Sequence, residues 1–149
     1  MTLRKKIAVG LGLVLLLGLA VLTFFSYAFA SFANGMCGNS VLAEYPSPSG
    51  KLNAVVFERS CGATTGFSTQ VSILRSGEVL ENNGGTLFAA DTDRGRAPSG
   101  VGGGPEVRFR WLSASTAELQ HHPHVRISTA QKKAEGVEVV YVPIPVNDR

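Results

Sequence analysis

Cys61 stands in a bend of small and hydroxyl residues, Ser60-Cys61-Gly62-Ala63-Thr64-Thr65-Gly66, and of all the side chains in the sequence its type and setting come nearest to a reactive group. A thiolate there could attack an acyl group, with the peptide N–H groups of the bend as an oxyanion hole and His121, His122 or His124 as base. The chain has one other cysteine, Cys37. An even pair outside the cytoplasm is the ordinary signature of a disulfide, which would occupy the sulfur and tie the start of the domain to its first hairpin. The disulfide is the reading we favour; a Cys61-dependent hydrolase or thiol enzyme is the alternative, and the redox state of Cys61 separates them.

The other chemically suggestive segments have weaker patterns. His121-His122-Pro123-His124 carries three imidazoles, but Pro123 forces a turn and no cysteine or carboxylate stands at ligand spacing, so an exposed turn is expected. Asp91-Thr92-Asp93-Arg94-Gly95 begins like a calcium loop, yet it encloses Arg94 and lacks the later ligating glutamate. Gly100-Val101-Gly102-Gly103-Gly104 has no following Lys-Ser/Thr and opens no helix, so it does not make a phosphate cradle. No metal or cofactor is expected. Arg108 and Arg110 share one side of a strand and, with Arg59, would form an anion-binding patch if their strands were neighbours. Thr64 and Thr65 complete that candidate binding surface. Its ordinary reading is a solvated sheet face balanced by Glu58, Glu106 and Glu138. The Ser68, Gln70 and Ser72 side of the next strand is a second candidate partner surface.

The elements that must position these residues are strands. Val41 to Tyr45 and Leu52 to Arg59 flank Pro46-Ser47-Pro48-Ser49-Gly50-Lys51 and read as a first hairpin. In Phe67 to Leu74, Phe67, Val71 and Ile73 alternate with Ser68, Gln70 and Ser72, predicting a half-buried strand with one solvated side. Thr86 to Ala90 is another strand. Asp91 to Pro105 is too rich in glycine and too poor in apolar residues to pack, which predicts a mobile loop. Alternation then resumes with Val107, Phe109 and Trp111 against Arg108 and Arg110, followed by Ala117 and Leu119, Val125 and Ile127, and Val137, Val139 and Tyr141. The expected fold is all-β, a small antiparallel β-sandwich-like domain of about seven or eight short strands. In Val142-Pro143-Ile144-Pro145-Val146 alternate residues lack an N–H, so it is not expected as an interior strand.

What precedes the domain sets its compartment. From Ile7 to Ala33 the sequence carries no charge, long enough to cross a hydrocarbon layer of about 30 Å. Arg4, Lys5 and Lys6 precede this stretch and the next basic residue is Lys51, so the positive-inside bias places the N-terminus in the cytoplasm and the domain outside. The expected organisation is a basic segment 1–6, a signal anchor 7–33, a linker 34–40 and an extracytoplasmic domain 41–149 containing the loop 91–105. A cleaved leader has the same charge order, and Ala28-Phe29-Ala30 suits a peptidase, so secretion after Ala30 is the alternative. The length of the apolar run and the cluster Phe24, Phe25, Tyr27, Phe29 and Phe32 favour an anchor. The formal charge of +3 comes from the three basic N-terminal residues; the remainder is balanced, which argues against a nucleic-acid footprint. The expected partners are the cell membrane and another envelope protein or wall component; the sequence does not fix an oligomeric state.

The string S-P-S-G-K at 47–51 followed by F-E-R-S-C-G-A-T-T-G-F-S-T-Q-V-S-I at 57–73 resembles a group of uncharacterised small bacterial envelope proteins with S-P-D-G-K and then R-x-C-G-A-T-T before a strand. Residues Cys37 to Leu74 carry the resemblance, and Ser49 stands where that group has Asp. It implies an envelope location and a β fold, and brings no catalytic residue with it.

Overall fold

The computed structural model describes residues 2–62 and 65–145. It comprises two compact units, Met1–Gly35 and Met36–Arg149.

The first unit is one helix, α1 (Leu3–Gly35), opened by Thr2, whose carbonyl accepts the N–H groups of Lys5 and Lys6. Its stretch Lys5–Phe32 has a mean hydropathy of 2.7 and no buried residues, and 28 residues at ~1.5 Å each reach well beyond ~30 Å. The helix is therefore long and apolar enough to cross a membrane, a property shared by signal sequences. Two of its hydroxyls fit that environment, since Thr23 donates to the Ala20 carbonyl at 2.9 Å and Ser26 to the Leu22 carbonyl at 2.8 Å. Both donors are satisfied inside the helix, as hydrocarbon surroundings would require.

Among its described residues the second unit holds nine strands: β1 (Gly38–Pro46), β2 (Leu52–Ser60), β3 (Ser68–Arg75), β4 (Phe88–Asp91), β5 (Val107–Trp111), β6 (Thr116–His121), β7 (Arg126–Ala130), β8 (Lys133–Ala134) and β9 (Val137–Pro143). One sheet has the order β1-β2-β3-β4-β7 and the other β5-β6-β9-β8. All pairings are antiparallel except β6 with β9, because the chain leaves the second sheet after β6 to add β7 to the first. The domain is mostly β and sandwich-like, as the alternation predicts. The linker is shorter than expected: β1 already includes Gly38 to Ser40.

The period of two supplies the core directly. Ala54, Val56, Val71, Ile73, Phe88 and Ala90 from the first sheet cluster with Phe109, Ala117, Leu119, Val137 and Val139 from the second. Trp111 donates its indole N–H to the Tyr45 carbonyl at 2.8 Å, linking the sheets at one margin. Tyr141 donates to the Gln131 carbonyl at 2.6 Å, and burial pushes its hydroxyl pKa up to about 12. Pro143 is tolerated in β9 because β8 pairs only with Val137 and Glu138, leaving no neighbour on that side to receive an N–H there.

Two readings are corrected. The Ser68, Gln70 and Ser72 side of β3 is covered, not solvated: Gln70 is 8% exposed and Ser72 2%. The segment 78–87 crosses that face, with Gly85 N–H donating to Gln70 Oε1 at 2.5 Å and Thr86 N–H to Ser72 Oγ at 3.1 Å. Polar side chains of β3 thus serve as hydrogen-bond partners for the backbone of the covering segment. The second correction concerns packing in 91–105. Ala97, Gly104 and Pro105 are buried. The Pro105 carbonyl accepts the Thr69 hydroxyl at 2.7 Å. A Cβ on Gly104 would lie 2.7 Å from Thr69 N and 2.8 Å from Ser68 C. The glycines there permit close approach to β3, so a segment poor in large apolar groups still packs.

Candidate functional site

The hairpin β1–β2 begins the site. Its closed end is held by Ser47, which is nearly buried and accepts the Leu52 N–H on its hydroxyl at 3.1 Å, with Gly50 at φ +69 completing the turn. Its open end ends in register at Gly38 opposite Ser60, and the next residues, Cys37 and Cys61, are joined by a disulfide with Cα atoms 3.8 Å apart. The bond extends the hairpin by one covalent row. Cys61 therefore has no free thiolate, and the nucleophile reading is corrected on that ground. Of the three candidate bases, His121 is buried at the end of β6 rather than in an exposed turn, its ring stacked 5.6 Å from Phe88 with Nδ1 2.9 Å from the His122 carbonyl oxygen, and His122 Nδ1 accepts the His124 N–H at 3.2 Å. His124 is exposed, as expected of a turn. Among the described residues, no three of His, Cys, Asp and Glu gather into a group able to hold a metal ion.

The arginines of the candidate binding surface lie in different places. Arg108 and Arg110 are on β5 in the second sheet, where Arg108 pairs with Glu106 at 2.7 Å and Arg110 makes two 2.9 Å hydrogen bonds to Glu118. The hydrogen bonds from Arg110, then Gln120, hold the Glu118 carboxyl below its ordinary pKa. This is the balanced solvated face anticipated as the ordinary reading, with Glu118 in place of Glu58 and Glu138. Arg59 is on β2 in the first sheet, so the three do not form one patch. It is only 7% exposed. Its Nη1 donates to Asn39 Oδ1 at 2.7 Å and Asn82 Oδ1 at 3.3 Å. Asn82 in turn donates to the Cys37 carbonyl at 2.7 Å, so the guanidinium, the disulfide and the covering segment are joined. Thr65 is exposed and donates to the Gly62 carbonyl at 3.2 Å; Thr64 lies outside the described residues.

Strand register collects a different set of groups. Asn39 pairs with Arg59, Arg59 with Ser68, Ser68 with Asp91 and Asp91 with Arg126, one polar row across all five strands. A cleft of about 550 Å³ opens on this row, lined by Arg59, Ser68, Gln70, Asp91, Arg94 and Arg126 beside Cys61. Arg126 donates through Nε at 3.0 Å and Nη2 at 2.6 Å to one oxygen of Asp91, Oδ2. The other oxygen accepts the Asp93 N–H at 2.8 Å. Burial pushes the Asp91 carboxyl pKa up, but these hydrogen bonds and the Arg126 charge outweigh it, so the group stays below the usual carboxylate value.

Arg94 reaches the cleft from an unusual backbone. Asp93, Arg94 and Gly95 are consecutive residues at φ +47, +58 and +86, a left-handed turn closed by Gly95 N–H to Thr92 O at 3.1 Å and Ala97 N–H to Thr92 O at 3.0 Å. Each of the two side-chain-bearing residues costs about 1–2 kcal/mol in that region. In the sequence Arg94 stands out as the residue that spoils a calcium loop, while Arg126, lying between Val125 and Ile127 of an expected strand, carries no signal of its own. Their meeting depends on register, which no local pattern encodes.

Compared with protein-family models, curated proteins and solved structures, the chain matches none of them.

Proposed function

We propose that this chain is a binding module of the bacterial envelope, held in the cytoplasmic membrane by α1 with its N-terminus inside and its β domain outside. The carrying observation is the combination of a fully exposed apolar helix with a domain that is closed by a disulfide, the bond expected of an oxidising compartment. Arg4, Lys5 and Lys6 before the helix support the orientation. The same features agree with the envelope location implied by the resemblance of residues 47–73. A binding role is favoured over catalysis because Cys61 is bonded, His121 is stacked in the core, and the cleft presents charged and polar groups without an activated nucleophile among the described residues. Its partner in this reading is another envelope protein or a wall component.

The test is topological. A reporter active only outside the cytoplasm, fused after Arg149, is expected to be active, and the protein is expected to stay with membranes after a carbonate wash. Crosslinking in intact cells then identifies what the domain contacts. A second reading, a domain released by cleavage after Ala30, is favoured by one observation: the core cluster is built wholly from residues of the second unit. Recovery of a mature soluble form beginning at Ser31 would establish it.

A further inference from the structure

Arg59 is a buried cation without an anion. It makes no ion pair among the described residues, and its partners, Asn39 and Asn82, are neutral amides that engage Nη1 alone. Nε and Nη2 have no hydrogen-bond partner among the described residues, although the side chain lines the cleft. Asn53 Oδ1 is the one sealed, unpartnered polar side-chain atom among the described residues, so Nε and Nη2 of Arg59 open onto the cleft, where they can donate to an external oxyanion. Arg94 likewise makes no ion pair among the described residues and is held at the same cleft by a strained turn, the kind of backbone that concentrates at binding sites. Arg126 commits two donors to Asp91 and retains Nη1. Three arginines and one aspartate therefore line the cleft, a local excess of two positive charges in a domain whose formal charge, cleft included, sums to zero; the charge of Asp93 also acts on Arg126 but is paired with Arg96.

We propose that this cleft, on the row from Arg59 to Arg126, is a receptor for a phosphate group carried by a small molecule. The net local charge suits a dianion. The guanidinium groups come from β2, from the turn after β4 and from β7, three separate directions that match a tetrahedral anion better than a planar carboxylate, which one guanidinium can satisfy side by side. Ser68, Gln70 and Ser128 add neutral polar groups around the cleft, and its volume of about 550 Å³ is that of a small-molecule site. Asp91 is the resident competitor for Arg126, which gives the site a built-in selectivity against weak anions. The proposal deepens the binding-module reading but does not depend on the anchor.

The experiment uses the full chain in zwitterionic detergent, with inorganic phosphate, acetate and the soluble lipid dihexanoyl phosphatidylglycerol as probes. Binding is read by calorimetry and by amide shifts of Ser68, Asp91 and Ser128. Phosphate is expected to bind saturably and more tightly than acetate. Arg94→Gln and Arg126→Gln, both on exposed side chains, should each weaken it about tenfold, as expected for loss of one charge-assisted contact. Asp91→Asn should tighten it several-fold, a gain that a purely structural ion pair does not produce. Arg110→Gln, on the other sheet, should leave it unchanged. Tighter binding of the lipid analogue than of phosphate at the same amides identifies a headgroup as the source, and the reverse identifies a free phosphate compound. No saturable phosphate binding, stronger acetate binding, or equal losses with Arg110→Gln would overturn the proposal. A chain that binds phosphate but proves to be secreted would keep the site and reject only the anchor.

Discussion

Arg59 and Arg126 stand on one cross-strand row of the first sheet, separated by Ser68 and Asp91. Their sequence positions are far apart, yet the antiparallel register turns them toward one cleft, one guanidinium buried and the other clamped to a carboxylate. The row ends at Asn39, two residues from Cys37, so the covalent closure of the first hairpin and the charged cleft belong to one end of the sheet.

The disulfide should contribute stability through the unfolded chain. Closing a loop with a separation of 24 residues is worth about 3.5 kcal/mol on the chain-entropy model. Cys37→Ser and Cys61→Ser are expected to lower Tm by similar amounts, and the double variant by little more than either, because all three remove one bond. A thiol-reactive Cys61 in the unreduced native protein would contradict this.

Arg94 should exchange stability for binding. Its φ of +58 is strained for a side-chain-bearing residue, so Arg94→Gly is expected to raise unfolding free energy by up to about 1 kcal/mol after allowing for the greater freedom of glycine in the unfolded chain. Denaturant titration of both proteins checks the gain. A loss of stability would mean that the side chain makes contacts that outweigh its backbone strain.

The loop 91–105 should be heterogeneous in its protection. Gly104→Ala places a methyl against the backbone of Thr69 and Ser68 and should cost about 2 kcal/mol or more, in the range of overpacking changes. Gly66→Ala, with open space around it, should change stability by less than about 0.5 kcal/mol. Proteolysis is expected at Arg94 or Arg96, where the chain is exposed, and amide exchange should be slow near the buried residues Gly104 and Pro105. Uniformly fast exchange through the amide of Gly104 would oppose this packing.

Acid should weaken the domain through two carboxylates. Asp91 and Glu118 have folded pKa values below their ordinary 3.8 and 4.5. Their ion pairs therefore stabilise fully above those ordinary values, and the contribution disappears as pH falls through the lower folded ones. Denaturation midpoints measured from about pH 6 down to about pH 2 should fall most steeply below about pH 4.5. The slope should flatten in the double variant Asp91→Asn, Glu118→Gln.

Removing Gln70 should uncouple the covering segment. Its Oε1 accepts the Gly85 N–H and its Nε2 donates to Ser68 Oγ at 2.8 Å. Gln70→Leu keeps most of the volume but strands that N–H, an expected cost of about 1–3 kcal/mol. Faster amide exchange at Gly85 and Thr86, with β2 and β3 still protected, would locate the effect.

The sequence by itself determined the apolar helix, the strand-rich class and the inward residues of β5, β6 and β9, because hydropathy and a period of two are local properties of consecutive residues. It also favoured the Cys37–Cys61 pairing, since two cysteines admit one intramolecular bond. It misread the polar side of β3 because alternation reports which side chains are polar, not whether a later segment covers them. It misread 91–105 because it took packing to require large apolar groups, whereas Gly104 packs by having no side chain. Only the tertiary structure could decide the site. Arg59, Asp91 and Arg126 share a row through three successive antiparallel pairings, and a one-residue slip in any of them would turn the strands beyond it to the opposite face. Arg108 and Arg110 look equivalent to Arg59 in the sequence, but sheet membership gives them carboxylate partners and leaves Arg59 buried among neutral ones.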